Sequence, residues 1–336
     1  MKISASLYSN NTHEFLSMMQ DLDRFNIDYI HIDCNDDLSV FEDIVKVKEV
    51  THKPIDLHVI SEAPERFYDK IIETKAEIVC FQCEQLKRPL NVPKEIKSKL
   101  GLAITTETPI KVFEEYKDRF NFMLFMATTP GKSGEFFKKE NFEKIREFKR
   151  TYPNKLIHVD GGVNNEVSFI LRNMGTHCLV VGSYLFKKVS IGNAVLNLKS
   201  ELSERHYSIK DFMMSYYELP TIDIDSIDLL SVLKAINDYK MGFVIIIDSN
   251  QNLKGIITDG NIRRSLIKNI DNLRSIDDVN EIVNSDPFCI NENASIDELI
   301  QLISKRQTPT TFLPVITAEN KLVGAISFSN LIKGEF

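Results

Sequence analysis

The sequence lacks the long apolar runs of a membrane protein. None of its hydrophobic stretches comes near the roughly 18 residues that a bilayer-spanning helix needs. Basic residues are not in excess either, because 41 Lys and Arg stand against 48 Asp and Glu, which leaves no electrostatic footprint for a nucleic acid. With 43% hydrophobic and 26% charged residues, the chain is predicted to be globular, with no membrane or nucleic-acid partner.

The chain also lacks a disulfide framework. Its five cysteines are scattered and mostly lie inside apolar runs, which is typical of reduced core residues: Cys34, Cys80, Cys83, Cys178 and Cys289. The first residues, MKISASLYSNN, have neither the basic nor the apolar region of a secretion signal. We therefore expect a cytoplasmic setting.

What the sequence does have is a regular rhythm of short apolar runs. Eight of them fall within about the first 190 residues, in the order KISASL, DYIHID, PIDLHVI, EIVCFQC, LGLAIT, FNFMLFMA, KLIHVD and HCLVVG. Stretches with helical spacing lie between them, at 14–25, 64–73, 136–150 and 165–173. This alternation predicts an α/β fold with a parallel sheet, and eight strands favour a closed (β/α)8 barrel, the TIM barrel.

The rhythm changes after about residue 190, where a pattern of helix, strand, turn and strand occurs twice. The two copies include GFVIIIDSNQNLKGIITDGNIRRSL and TFLPVITAENKLVGAISFSNLI. An internal repeat of this kind predicts two similar modules that pack as one unit. We expect a barrel over 1–200, a linker over 201–214, and a smaller α+β pair over 215–336 whose repeats span about 215–275 and 281–336.

The strand ends of the predicted barrel carry polar residues, and this is where barrel active sites lie. The residues in question are Ser6, His31, Asp33, His58, Asp160, Gly161, Gly162, Gly182 and Ser183. Two imidazoles and two carboxylates suit a divalent ion such as Zn²⁺, Mn²⁺, Fe²⁺ or Co²⁺, bound by His31, Asp33, His58 and Asp160. Each of these polar residues, taken alone, fits a solvated barrel rim or a hydrogen-bonded core group equally well. His158 and His177, within apolar strands, are predicted to be core or rim residues.

Seven ordered motifs resemble those of the ribulose-phosphate 3-epimerase family: ISASLYS, HIDCND, DLHVISEAPERF, GLAITTETPI, MLFMATTPGKSGEFF, HVDGGV and VVGSYLF. Together they cover nearly all of residues 1–190. The resemblance implies a barrel that interconverts a pentulose 5-phosphate and its C3 epimer through a metal-stabilised cis-enediolate.

The resemblance also implies roles for individual residues. The family's four metal ligands fall on His31, Asp33, His58 and Asp160, and its acid/base pair on Asp33 and Asp160. Ser6 and His58 would contact the substrate. Its phosphate would lie over backbone N–H groups of Gly161, Gly162, Gly182 and Ser183. Gly131 and Gly134 match the family's flexible lid, which would exclude water.

Three departures from the family pattern concern the pocket wall and the lid. Asn35 stands where a methionine is usual, Gln82 where a histidine is usual, and Lys132 and Ser133 interrupt the usual Pro-Gly-Phe-Gly-Gly lid. The ligands are spared, so these changes leave the chemistry in place and the substrate open.

Several functions therefore remain open at the level of sequence. The default is 3-epimerisation of ribulose 5-phosphate to xylulose 5-phosphate, and the variant is a hexulose 6-phosphate of the allulose 6-phosphate type. An inactive sugar-phosphate-binding or scaffold protein is the alternative from another class, and a different sugar-phosphate lyase or isomerase is the third.

The C-terminal repeats resemble a CBS-domain pair, with GIITDGNIRR as the most telling segment. Such pairs bind nucleotides or mediate assembly. If a nucleotide binds, Thr258 would contact its ribose or phosphate, and Arg263 and Arg264 would pair with phosphates, although Arg263 and Arg264 fit a solvated helix face equally well. Asn261 and Asn330 replace the family's ribose-binding aspartate, which weakens the case for adenosine nucleotides. Because both families assemble, we expect a homo-oligomer.

Overall fold

The computed structural model describes residues 1–10, 13–128, 134–187, 190–200, 207–268, 279–304 and 311–327. The chain divides into two compact units, the first built from residues 1–204 and the second beginning at residue 205. Each unit is described separately below.

The first unit is a closed barrel of eight parallel strands, arranged in chain order. The strands are β1 (Lys2–Ser6), β2 (Tyr29–Asn35), β3 (Ile55–Ile60), β4 (Ile78–Gln82), β5 (Lys99–Thr105), β6 (Phe122–Met126), β7 (Leu156–Asp160) and β8 (Cys178–Val181). Each of the eight apolar runs overlaps one of these strands, and six of the runs contain the whole strand. The predicted barrel is therefore confirmed.

The helices of the first unit follow the strands unevenly. They are α1 (Phe15–Arg24), α2 (Val40–Val50), α3 (Tyr68–Thr74), α4 (Glu140–Thr151), α5 (Asn165–Asn173), α6 (Ser183–Phe186) and α7 (Ile191–Ser200). After β4 and β5 the described chain forms only short 3₁₀ segments, at Cys83–Gln85 and Ile110–Glu115. Prolines account for much of this, since Pro89, Pro93 and Pro109 restrict helix formation in both connections.

The helix α5 begins directly after the glycines that follow β7. Its first turn is fixed by Asn164, whose side-chain oxygen accepts a hydrogen bond from the backbone N–H of Val167 at 2.9 Å. This is a standard N-cap, and it satisfies a donor that the helix itself leaves unpaired. The cap fixes where the Gly161-Gly162 turn ends, and so holds one wall of the barrel mouth.

The barrel interior is filled by side chains that alternate along each strand. The buried cluster comprises Tyr29, Ile78, Cys80, Ala103, Phe122, Leu124, Met126, Cys178 and Val180. Below the mouth, the ring of Phe122 stacks on His158 at a centroid distance of 4.0 Å, and His158 stacks on His177 at 5.6 Å. The missing side chain of Gly101 makes room for this stack, because a Cβ there would lie 2.2 Å from the Phe122 ring.

His158 is a core residue, as predicted, and its side chain faces the barrel interior. It is only 2% exposed, and neither ring nitrogen has a hydrogen-bond partner among the described residues. Burial lowers the pKa of His158 to about 3, so the folded barrel keeps this imidazole neutral.

The second unit contains two sheets and four helices in the described residues. Its elements are α8 (Ile209–Phe212), β9 (Met214–Ser215), β10 (Thr221–Asp223), α9 (Leu229–Tyr239), β11 (Phe243–Ile247), β12 (Leu253–Thr258), α10 (Asp259–Lys268), β13 (Ile290–Asn291), α11 (Ile296–Ser304), β14 (Phe312–Ile316) and β15 (Leu322–Ser327). The sheets have the orders β10-β11-β12 and β13-β14-β15-β9.

The two sheets repeat one plan. In each, a short first strand is parallel to the second, and the second is antiparallel to the third. The register shifts at the same place, between Ile246 and Ile247 in one copy and between Val315 and Ile316 in the other. The aromatic rings of Phe243 and Phe312 stack at 3.7 Å and join the copies. The internal repeat seen in the sequence is thus a structural repeat.

The boundaries at residues 200 and 215 stay predictions. Residues 209–214, which the sequence analysis placed in the linker, contain α8 and the first residue of β9, and β9 pairs with β15. Among the described residues, no helix combines the length and the apolar character needed to cross a bilayer.

We predict that His158 makes the barrel less stable as the pH falls from about 6.5 towards 4. The unfolded chain, with an ordinary histidine pKa near 6.5, then binds a proton that the folded barrel does not bind, so the contribution is complete above pH 6.5 and is lost below it. At about 1.4 kcal/mol per pH unit, the loss between pH 6.5 and 4.5 is roughly 2–3 kcal/mol. Urea unfolding of the wild type and of His158→Phe at both pH values measures it.

The control variant is His52→Phe, since His52 is an exposed residue ahead of β3. This variant should show the same pH dependence of the unfolding free energy as the wild type. His158→Phe should lose the part of that dependence that comes from one bound proton. An identical pH dependence in wild type and His158→Phe would contradict the prediction.

Candidate functional site

The C-terminal ends of the barrel strands open onto a cavity of about 480 Å³. Eight of the predicted site residues line it, namely Ser6, Asp33, Gly134, Asp160, Gly161, Gly162, Gly182 and Ser183. The two predicted imidazoles, His31 and His58, are completely buried and are not among its lining residues. The cavity therefore presents carboxylates and backbone groups, with the imidazoles behind them.

His31, Asp33 and His58 form one compact cluster. His31 and Asp33 share a face of β2, and the register of β3 places His58 directly beside Asp33. The Asp33 Oδ1 atom lies 3.3 Å from His31 Nε2 and 3.1 Å from His58 Nδ1. Ligand atoms of all three residues lie within 4.8 Å of one another, which is the spacing of a metal-binding group.

The remaining nitrogen of each imidazole has its own buried partner. His31 Nδ1 lies 3.0 Å from Asp56 Oδ2, and this carboxylate also accepts a hydrogen bond from the Ser4 hydroxyl at 2.8 Å. His58 Nε2 lies 2.8 Å from Gln82 Oε1. Partners of this kind fix the orientation of an imidazole, so both rings are held with one nitrogen directed at the Asp33 oxygen.

Asp160, the fourth predicted ligand, ends β7 and faces the cavity, but it is not a member of the compact cluster. Its carboxylate makes no hydrogen bond to another described side chain. Burial raises the pKa of Asp160 to about 6, against the opposing effect of the nearby His31.

Asp33 behaves in the opposite way. Burial alone would raise its pKa, but the imidazoles of His31 and His58 hold the pKa of Asp33 well below its usual range. Burial would lower the pKa of His31, but the carboxylates of Asp56 and Asp33 raise that pKa well above its usual value. The two carboxylates that face the cavity thus have pKa values pushed apart, as in pairs that divide acid and base roles.

A glycine cradle forms the other side of the cavity. Gly161 and Gly162 have positive φ values of 101° and 65°, a conformation that favours glycine. A Cβ on Gly161 would collide with Thr128, one on Gly162 with the backbone of Phe137, and one on Gly182 with Ser9. Without side chains, backbone N–H groups can approach a ligand closely, as an anion site requires.

Ser6 and Gly134 lie at the rim of the same cavity. The Ser6 hydroxyl is 3.1 Å from that of Ser9, which itself packs against Gly182. Gly134 has a φ of 87°, and the ammonium of Lys187 approaches it closely. Gly131, the other predicted lid glycine, lies outside the described residues, as do Lys132 and Ser133.

Sequence reasoning missed Asp56 and Lys187, and it named Gln82 only as a departure in the pocket wall, without its contact to His58. Asp56 lies two residues before His58 on the same face of β3, so period-two alternation could have found it. The role of Gln82 depends on the lateral register of β3 and β4, which no local pattern reveals. Lys187 lines the cavity and is the one cation among the lining residues of the described chain; it lies directly after the VVGSYLF motif but is not part of it.

In the second unit, Thr258 ends β12 and faces the first turn of α10. Its backbone N–H donates to Asn261 Oδ1 at 3.1 Å, and its hydroxyl bonds to the same oxygen. Arg263 and Arg264 are both exposed, and the Arg264 guanidinium lies beside Gly260 in that turn. Thr258 and Arg264 therefore share one face of the turn.

Comparison with known proteins agrees with this architecture. Residues 2–186 match the ribulose-phosphate 3 epimerase family, and residues 209–268 and 279–335 match the CBS domain. The ribulose-phosphate 3-epimerase of Bacillus subtilis (strain 168) is 29% identical over 213 residues, which cover 59% of this chain and 98% of that protein. The chloroplastic ribulose-5-phosphate-3-epimerase of Arabidopsis thaliana is 27% identical over 213 residues, which cover 59% and 76%.

A solved structure similar to the second unit is that of the CBS-pair protein CBSX2 from Arabidopsis thaliana. It is 20% identical, with a TM-score of 0.32, and the similarity covers 38% of this chain and 94% of that one.

Proposed function

Because the chain belongs to the ribulose-phosphate 3-epimerase family through residues 2–186 and is an isomerase of sugar phosphates, we propose that it inverts C3 of a ketose phosphate by metal-assisted proton transfer between Asp33 and Asp160. The observation that carries the proposal is that these two carboxylates face one cavity while His31 and His58 lie directly behind Asp33.

The donor set fits a divalent metal ion. Two imidazole nitrogens point at one carboxylate oxygen, and the opposite nitrogen of each ring is already held by Asp56 or Gln82. His31, Asp33, His58 and Asp160 would hold the ion, and the mixture of nitrogen and oxygen donors suits Zn²⁺, Mn²⁺, Fe²⁺ or Co²⁺. When bound, the ion polarises the substrate carbonyl and stabilises an enediolate.

The protein's own contribution is to transfer protons on both faces of the substrate. One aspartate removes the proton from C3, and the other returns a proton to the opposite face, which inverts the centre. The opposed pKa shifts of Asp33 and Asp160 suit this division, since Asp33 stays ionised whereas Asp160 more readily carries a proton.

The substrate phosphate would be bound at the glycine side of the cavity. Backbone N–H groups of Gly161, Gly162, Gly182 and Ser183 are the proposed donors. Lys187 supplies the nearby positive charge that a phosphate dianion needs, and it has no ion pair with a described carboxylate. The same charge requirement holds for ribulose 5-phosphate, the default substrate, and for a hexulose 6-phosphate, the alternative.

We predict that the protein, with metal, incorporates deuterium at C3 of ribulose 5-phosphate in D₂O and forms xylulose 5-phosphate. Asp33→Asn and Asp160→Asn should each lower the epimerisation rate by roughly 10²–10⁴-fold, because each removes one proton-transfer group. Proton NMR of the sugar reports both exchange and inversion. Chelation should abolish the reaction, and restoration by Zn²⁺, Mn²⁺, Fe²⁺ or Co²⁺ in turn identifies the metal.

The matched control is Asp69→Asn, an exposed aspartate on α3 outside the cavity, which should retain wild-type activity. Exchange with a hexulose 6-phosphate but not with ribulose 5-phosphate would overturn the default substrate and keep the mechanism. No exchange with any ketose phosphate would favour a sugar-phosphate-binding or scaffold protein instead.

We also predict that Lys187→Gln raises KM for the phosphorylated ketose by about tenfold and changes kcat little. The substitution removes a charged hydrogen-bond donor worth about 1.5–3 kcal/mol to the phosphate but leaves the proton-transfer groups in place. Lys99→Gln, at the opposite end of the barrel, removes the same charge and serves as the control. Equal KM values for both variants and the wild type would refute the role of Lys187.

For the second unit we infer that the CBS pair binds a nucleotide through Thr258 and Arg264, and so regulates the barrel. Support comes from their shared face on one turn and from the exposure of the Arg264 guanidinium. Arg263, on the neighbouring face, is the weaker candidate of the two predicted arginines. The alternative is that the pair mediates assembly into a homo-oligomer.

We predict that Arg264→Ala weakens nucleotide binding by about tenfold or more, because a phosphate loses a charged donor, whereas Arg263→Ala changes it much less. Calorimetric titration with AMP, ADP and ATP measures the affinities. Light scattering of the same samples gives the oligomeric state. Absence of binding combined with a stable oligomer would replace the sensing role with assembly.

A further inference from the structure

Gln82 connects the buried imidazole of His58 to a carboxylate at the barrel rim. The Gln82 side chain is 2% exposed, and its Oε1 atom lies 2.8 Å from His58 Nε2. Its amide nitrogen donates to the carboxylate of Glu84, which follows β4 in a 3₁₀ segment. Three residues on three successive elements thus form one hydrogen-bonded chain.

The Glu84 carboxylate has several donors besides Gln82. It accepts a hydrogen bond from the backbone N–H of Thr105 at 2.8 Å, and it also accepts from the hydroxyl groups of Thr105 and Thr108. A backbone N–H can only donate, so the oxygen facing Thr105 must be an acceptor. Burial would raise the pKa of Glu84, but the hydrogen bonds from Thr105 and Thr108 lower it, so this carboxylate is ionised and accepts at both oxygens.

An ionised carboxylate fixes the orientation of the Gln82 amide. A glutamine side chain can in principle present either its oxygen or its nitrogen to a neighbour. Glu84 can only accept, so the NH₂ group of Gln82 must face Glu84 and the amide oxygen must face His58. The nitrogen of His58 that meets this oxygen must then carry a proton.

We infer that Gln82 and Glu84 are positioning residues that set the tautomer of His58. With a proton held on Nε2, Nδ1 is the nitrogen left to bind a metal ion, and it is directed at Asp33, 3.1 Å away. This inference rests on the proposed metal-assisted function for its purpose, because a bare Nδ1 is what a metal ligand requires. The hydrogen-bond chain itself is independent of any metal.

The arrangement makes the two imidazoles unequal. His31 is backed by the charged carboxylate of Asp56, whereas His58 is backed by a neutral amide. A carboxylate partner makes an imidazole a more basic ligand than an amide partner does. Gln82 therefore keeps negative charge away from one side of the cluster while still fixing the ring.

The test compares three changes in the full chain. Gln82→Leu removes the oxygen that accepts from His58 Nε2, so the proton should no longer be held on that nitrogen. Gln82→His should rescue it, because a neutral imidazole can donate to Glu84 through one nitrogen and accept from His58 through the other. Gln85→Leu makes the same chemical change at an exposed glutamine in the 3₁₀ segment after β4, and it is the control.

The first readout is ¹H–¹⁵N NMR of the histidine rings in metal-free protein. Wild type, Gln82→His and Gln85→Leu should show a proton held on His58 Nε2, and Gln82→Leu should show that proton lost or only partly present. The second is calorimetric titration with Zn²⁺ and Mn²⁺, in which Gln82→Leu should weaken binding about 10- to 100-fold, as loss of such a partner usually does.

The two readouts separate the inference from the proposed function. An unchanged His58 tautomer and an unchanged metal affinity in Gln82→Leu would overturn the role of Gln82, even if the epimerase reaction is found. A wild type that has the expected tautomer but binds neither ion would support the hydrogen-bond chain and refute the metal site. Thermal unfolding of each variant ensures that all are compared as folded proteins.

Discussion

The site is organised around a single oxygen atom, Asp33 Oδ1, which lies within 3.3 Å of two buried imidazole nitrogens. Burying two imidazoles and a carboxylate is unfavourable unless each polar atom finds a partner. Asp56 and Gln82 provide these partners from β3 and β4, and Ser4 completes the set from β1. The polar cluster therefore depends on the alignment of four neighbouring strands, and the closed barrel holds those strands in register.

Much of the barrel could be predicted from local pattern, and the reasons are physical. Period-two alternation places His31 and Asp33 on one face, and eight apolar runs with helical spacers favour a closed sheet. The sequence placed His58 and Asp33 in one predicted site, but lateral register follows from packing of the whole sheet, so the direct contacts of His58 with Asp33 and Gln82 have no local signal. The absence of long helices after β4 and β5 was not predicted either, although prolines in these connections are a sequence signal for it.

The second unit shows the same division between local and long-range information. Its repeat was visible in the sequence because both copies need the same alternation of strand and turn. The matching register shifts at Ile246 and Val315 are a property of strand pairing and have no sequence signature of their own. The pairing of β9 with β15 joins segments that are more than a hundred residues apart, and only the folded chain reveals it.

The ring stack of Phe122, His158 and His177 has a consequence for isotopic labelling. These rings pack within the barrel beneath the cavity, and Asp33 and Asp160 line the cavity above them, so we expect water to reach both carboxylates through the mouth. A bound sugar phosphate would occupy that entrance. A hydrogen taken from the sugar would then remain on its carboxylate for as long as the sugar is bound, and could return to the carbon from which it came. Exchange of that hydrogen with solvent would then have to wait until the sugar leaves the barrel.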